Sequence, residues 1–301
     1  MRVKLTNNLT DTALLFEGGG MRASFTSGMV VALLESGIHA NFVAGISAGS
    51  SNTCNYLTRD PVRARTSFVE FAADPQFGDW RTFLRGRGLF NAEYIYERTG
   101  MPGQALPFDF EAYRANPATV QLGGFDVESG EMVWWSKDDT TRMPDLMRRV
   151  RASSTMPVLM PPVQINDRTY VDGALGPDGG VPLSTALDHG YEKFLVILTR
   201  EREYRKAPER FPHFYRTYFR RYPAVADALV TRWRRYNETR EKLFALEREG
   251  KAYLFVPEQM PVSNGERNVA KLRASHEQGL AQARREIPAI REFLGLSATP
   301  K

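Results

Sequence analysis

With 301 residues, 42% of them hydrophobic and 25% charged, the chain suits one large α/β domain or two small ones, with the composition of a soluble globular protein. No run approaches the ~18–20 uninterrupted apolar residues of a membrane span, the opening MRVKLTNNLTD has no apolar signal-peptide core, and the single cysteine, Cys54, excludes an intrachain disulfide. A cytoplasmic protein is expected. The net charge of +5 is unevenly placed, because residues 200–250 hold 14 Lys/Arg against 8 Asp/Glu and leave the remainder near neutral.

In chain order, ALLF (13–16) predicts a short buried strand that stops at Glu17-Gly18-Gly19-Gly20. Residues 22–36 carry Phe25, Met29, Val30, Leu33 and Leu34 at helical spacing, with Gly37 as the C-terminal cap. NFVAG (41–45) predicts a second buried strand and AGSSNTCNYL (48–57) a helix directly after it. This βαβα unit predicts a parallel sheet. Further along, 117–136 predicts two strands around a turn at Glu128–Gly130, and 145–154 a helix. Pro157, Pro161 and Pro162 keep the next segment extended. Residues 164–175 predict a hairpin turning at Asn166–Asp167 and ending at Asp172–Gly173. A short helix (182–190), a buried strand (193–199), basic helices, a strand (252–256) and a helix over 266–294 complete the chain. No linker separates a second domain, so residues 1–301 are expected to form a single domain, with core motifs in 13–199 and a basic, aromatic helical elaboration in 200–301.

Three segments could carry chemistry. Gly45-Ile46-Ser47-Ala48-Gly49 is a GxSxG pentapeptide between strand and helix, where a tight turn needs small flanks and presents the serine Oγ above the strand ends. The competing reading is a plain βα turn with Ser47 as helix N-cap. Gly18, Gly19 and Gly20, followed by Arg22, end the preceding strand, and their amides can converge on an anion. That anion is either a phosphate or the oxyanion of a tetrahedral intermediate. Gly18-x-Gly20-x-x-Ala23 also fits a relaxed dinucleotide fingerprint, whereas the P-loop lysine is absent. The third segment is Asp172-Gly173 at a strand end: a carboxylate there can serve as a base, or the pair is an ordinary turn.

A serine nucleophile needs a base, and none of His39, His189, His213 and His276 lies in a motif. Ser47 also follows only the second strand, earlier than in a histidine-triad α/β-hydrolase. No His/Cys spacing suggests zinc.

Taken together, EGGGMR (17–22), GISAGSSN (45–52) and RASSTMPVLMPPVQINDRTYVDGAL (151–175) resemble the patatin-like phospholipase family of serine–aspartate lipid acyl hydrolases. The resemblance implies a three-layer α/β/α sandwich with a mostly parallel central sheet. It implies Ser47 as nucleophile, Asp172 as its base, and Gly18, Gly19, Gly20 and Arg22 at the oxyanion hole, with Gly45, Gly49 and Gly173 as motif glycines. It implies no metal and no cofactor. One departure is visible, since the family's glycine after the basic residue is Ala23 here. The expected activity is lipid acyl hydrolysis of the phospholipase A or lysophospholipase type, on a lipid or lysolipid substrate. The rivals are a nucleotide- or phosphate-binding module and a catalytically silent scaffold. The basic aromatic segment then suggests contact with anionic membrane at the inner face through Arg220, Arg221, Arg234 and Arg235, with no nucleic acid partner; a solvated helix face is the plainer alternative. Met156 and Met160 fit either core packing or an acyl channel.

Overall fold

Alternating apolar runs and glycine-rich turns build an eight-stranded sheet in the computed structural model, which describes residues 5–78 and 90–296. The first four residues of the N-terminal segment lie outside the described residues. The strands are β1 (Leu9–Phe16), β2 (Ala40–Ile46), β3 (Thr119–Asp126), β4 (Met132–Trp135), β5 (Val163–Ile165), β6 (Arg168–Asp172), β7 (Lys193–Ile197) and β8 (Ala252–Phe255). Hydrogen-bonded neighbours run β5-β6-β3-β2-β1-β7-β8, with β2 and β6 sharing one edge of β3 and β4 on its other edge. β3, β2, β1, β7 and β8 run parallel, while β4, β5 and β6 pair antiparallel. β1 starts at Leu9, four residues ahead of the apolar run, because buried Leu9 already pairs with Ala40; exposed Thr10 and Asp11 and a register shift separate that pair from Ala13.

The helices are α1 (Ala23–Glu35), α2 (Ala48–Thr58), α3 (Pro61–Thr66), α4 (Phe110–Ala115), α5 (Met143–Ser153), α6 (Leu183–Asp188), α7 (Pro212–Tyr218), α8 (Pro223–Arg248) and α9 (Val269–Phe293). Side chains alternate across a strand, and here they feed two cores. Leu14, Phe16, Val43, Leu195 and Ile197 pack under residues of α1, α2, α5 and α9. Ala13, Leu15, Phe42, Ala44, Phe194 and Val196 pack with Leu183 and Ala186 of α6 and Leu243 of α8. The result is the expected α/β/α sandwich, mostly parallel, with the C-terminal helices laid on both faces.

The C-terminal helix α9 crosses α1 backbone to backbone. A Cβ on Gly28 would lie 2.3 Å from Leu280 N, and one on Gly279 would lie 2.1 Å from Phe25 O. Ser24 Oγ meets Ser275 Oγ at 2.9 Å and Ser27 Oγ meets His276 Nδ1 at 2.8 Å across the same crossing. Between α2 and β3, where no element is expected from periodicity, α3, α4, a 3-10 turn (Glu70–Ala73) and a π-helical turn (Glu93–Arg98) wrap the sheet's end.

Candidate active site

β2 ends at Ile46 and α2 begins at Ala48, which leaves Ser47 alone in the corner with φ 58° and ψ −130°. A non-glycine residue rarely occupies that region. The flanking glycines are required by contact: a Cβ on Gly45 would lie 2.3 Å from Gly49 O, and one on Gly49 would lie 2.2 Å from Phe16 O. Ser47 does not cap α2 with its side chain. Its Oγ instead donates to Asp172 Oδ2 at 2.7 Å, so the hydroxyl is spent on the carboxylate and not on the helix.

The register of β3 brings the two residues together. Leu122 and Gly123 carry β2 on one edge and β4 on the other; Gly124 and Phe125 carry β4 and β6. β6 therefore lies on the same edge as β2 and continues where β2 stops. Ile46 faces Gly123 and Asp172 faces Gly124. Gly173 must be glycine, since a Cβ there would sit 2.4 Å from Gly123 O. The Asp172 N–H donates to Thr155 O at 2.8 Å, and its Oδ1 accepts from Ala174 N at 2.8 Å. Burial pushes the Asp172 carboxyl above the usual carboxylate range, against the opposing pull of the Ala174 N–H, the Ser47 hydroxyl and the Arg232 charge.

Ser153, within the RASSTMP stretch, has a role that no sequence pattern assigns. Its Oγ accepts from Ser47 N at 2.9 Å, donates to Gly123 O at 2.5 Å and lies 2.7 Å from Ser50 Oγ. It pins the corner to β3. The signal was present in the Ala152-Ser153 pair that closes α5, but only the fold shows which N–H the hydroxyl meets.

The glycine loop is anchored on three sides. Gly18 N donates to Gly180 O at 3.0 Å and Thr199 Oγ1 donates to Gly18 O at 3.1 Å. A Cβ on Gly18 would lie 2.9 Å from Ser47 Cβ. Buried Glu17 accepts from Thr199 N and, at 2.7 Å, from Tyr236 OH. Gly20 sits at φ 56° with Met21 N bonded to Asn264 O at 3.0 Å. The Gly18 amide is thus committed inside the protein, whereas the amides of Gly19 and Gly20 have no acceptor among the described residues. Arg22 follows with a buried, unpartnered Nε. Burial and then Arg200 lower its pKa.

From Ser47 and Gly20 a cavity opens into an apolar chamber lined by Phe68, Phe71, Phe77, Phe90, Ile95 and Leu106, with Met156 and Met160 in its wall. Met156 and Met160 therefore face a cavity as well as the core. The four phenylalanines, Ile95 and Leu106 of this chamber come from 68–106, a stretch with no hydrophobic periodicity to predict an element. Cys54 also lines it, but burial pushes its thiol up to about 12, so it is no nucleophile at neutral pH.

The histidines lie elsewhere. His276 bonds Ser27, His189 bonds Thr185 O at 2.7 Å, His39 takes Asn8 through its backbone, and His213 is exposed. Among the described residues no three His, Cys, Asp or Glu side chains are grouped to hold a metal, and no helix is long and apolar enough to cross a membrane. In the basic segment, Phe211, Phe214 and Tyr218 are exposed at 66%, 50% and 56%. Arg220, Arg221 and Arg234 are also exposed. Arg235 is not part of that face. It is half-buried and donates to Gly176 O, Leu175 O and Ala228 O.

A family model described as patatin-like phospholipase matches residues 14–187. A second, described as a domain of unknown function (DUF6363), matches residues 222–295. The uncharacterized protein YjjU of Escherichia coli (strain K12) is 25% identical over 195 residues, covering 62% of this chain and 51% of YjjU. The chain thus spans about half the length of that curated relative. The crystal structure of VipD from Legionella pneumophila aligns over 91% of this chain and 67% of VipD, at 13% identity and a TM-score of 0.45.

Proposed function

The chain belongs to the patatin-like phospholipase family, and from that premise we propose that it is a lipid acyl hydrolase of the phospholipase A or lysophospholipase type, working through Ser47 and Asp172. The observation that carries this reading is the 2.7 Å bond from Ser47 Oγ to Asp172 Oδ2 at the mouth of an apolar cavity.

In this mechanism Asp172 takes the proton of Ser47 as Oγ attacks the acyl carbonyl. The raised affinity of a buried carboxylate for a proton makes it a better base than an exposed one. The oxyanion is held by the free amides of Gly19 and Gly20, with the Arg22 charge behind them; one good donor contributes about 3–4 kcal/mol. Gly18 supplies the close approach to Ser47, not a donor. Asp172 returns the proton to the departing alcohol, and water cleaves the acyl-enzyme by the same proton path. The acyl chain occupies the phenylalanine-lined chamber. α7 with Phe211, Phe214 and Tyr218, flanked by Arg216, Arg220 and Arg221, rests on anionic membrane. The C-terminal helices belong to the same folding unit, because β8 completes the sheet and α9 packs on α1.

Labelling with a fluorophosphonate ester tests the reading. Wild type is expected to label, and Ser47→Ala and Asp172→Asn are not. An unlabelled wild type rejects it and favours a silent scaffold; equal labelling of Ser47→Ala rejects it by placing the reactive nucleophile elsewhere.

A further inference from the structure

Four cations crowd the glycine loop without carboxylate partners. Arg232, on α8, donates from Nε to both Ala174 O and Gly179 O at 3.0 Å, which leaves its two terminal nitrogens uncommitted. A Cβ on Gly180 would lie 3.2 Å from Arg232 Nη2, and Gly180 O is the acceptor of the Gly18 amide beside Ser47. Arg200 follows Thr199, which packs on Gly19, and its guanidinium lies 4.2 Å from the Tyr204 ring centre. Arg22 bonds its own N–H to Gly19 O and keeps a buried, unsatisfied Nε. Lys206 is tied to α8 by two bonds with Asn237. Burial and then Arg232, Arg22 and Arg200 hold its pKa down to about 8, as expected where like charges meet.

Nearby ion pairs go elsewhere, as in Arg202–Glu247 and Arg205–Glu241. None of the four takes a carboxylate within ion-pair distance among the described residues. The acids that face them are already engaged: Glu17 holds Thr199 N and Tyr236 OH, and Glu209 holds the amides of Arg210 and Phe211. Four partly buried cations faced by only these two carboxylates among the described residues, with guanidinium nitrogens left free, fit a compact dianion. Three of its members lie outside the patatin-like match, and Arg232 lies within 222–295.

We propose that Arg22, Arg200, Lys206 and Arg232 form a subsite for a phosphomonoester dianion beside the glycine loop, so that the substrate is an acyl ester bearing a terminal phosphate. The proposal rests on the lipid hydrolase reading. A zwitterionic headgroup would bring its own cation into a cluster that lacks a free anion, and is disfavoured for that reason.

Calorimetric titration of the Ser47→Ala protein tests the subsite without turnover. Glycerol 3-phosphate and inorganic phosphate are expected to bind, the former at least about tenfold more tightly than glycerophosphocholine. The double variant Arg200→Gln/Lys206→Gln, which leaves the Arg232 bonds to Ala174 and Gly179 intact, weakens both by a similar factor. Absent binding, or binding untouched by the double variant, overturns the proposal, whatever fluorophosphonate labelling of Ser47 says about hydrolysis. In wild type, kcat/KM for lysophosphatidic acid exceeds that for the matching monoacylglycerol by at least about tenfold. Phosphate binding with a ratio near one would mark a site for the free ion and overturn the headgroup assignment.

Discussion

Ser47 and Asp172, 125 residues apart, meet on a single edge of β3, where Ile46 faces Gly123 and Asp172 faces Gly124. β2 delivers the hydroxyl and stops; β6 arrives antiparallel on the same edge and delivers the carboxylate. The pairing depends on two strands sharing one neighbour, so no local feature of either motif encodes it.

Asp172→Asn tests the carboxylate. Asn keeps the shape and can accept from Ala174 N, so the fold is retained while the hydrolytic rate falls by about 10²–10⁴-fold. Because the folded pKa of Asp172 is raised, its stabilising contribution is full below the unfolded value of about 4 and is lost as pH rises through the folded value. The ionised group is thus a cost at neutral pH. Thermal melts are expected to show Asp172→Asn above wild type at pH 7, with the gap closing toward pH ~4. The acid limb of kcat/KM has its midpoint above that of an exposed carboxylate; a limb at or below ~4 would contradict the burial argument.

Ser47→Gly separates strain from chemistry. Its φ of 58° is costly for serine and open to glycine. Urea unfolding should show a gain of about 1–3 kcal/mol together with complete loss of fluorophosphonate labelling. A less stable Ser47→Gly would mean that the corner is not strained.

Ser153→Ala removes the acceptor of the buried Ser47 N–H. The expected loss is about 1–3 kcal/mol of stability, and the corner is freed to shift. Ser153 positions Ser47 and does not touch substrate, so steady-state kinetics should show a lower kcat with KM little changed. A change confined to KM would place Ser153 in substrate binding instead.

The order of strands and helices was legible because the parallel core strands are buried on both faces and read as unbroken apolar runs, and because Gly37 and the Asn166–Asp167 turn punctuate them. Ser47, Asp172 and the glycine loop stood out through small-residue spacing. What stayed hidden was tertiary in origin. The chamber is assembled from Phe68, Phe71, Phe77 and Phe90 on short or irregular elements with no periodicity. The Gly18 amide is spent on Gly180, 162 positions later, and Arg235 proves to be a staple on Leu175 and Gly176. A charge run in sequence does not say which arginine faces water.

That distinction between arginines is itself testable at a membrane. The rings of exposed Phe214 and Tyr218 lie 5.6 Å apart on α7, tilted to each other, beside exposed Arg220 and Arg221. Aromatics that sit at the headgroup level and cations that neutralise anionic lipid act together there. Co-sedimentation with phosphatidylglycerol/phosphatidylcholine vesicles should weaken with added salt, and each exposed cation removed should cost about 1 kcal/mol, roughly fivefold in binding. Arg220→Glu/Arg221→Glu and Phe214→Glu are expected to lose vesicle binding while keeping the wild-type melting temperature. Arg235→Glu should do the reverse, because it places a carboxylate against the carbonyls of Leu175, Gly176 and Ala228 and lowers the melting temperature by unseating the turn that follows Asp172. Vesicle binding that ignores salt and both surface variants would leave α7 an ordinary solvated face.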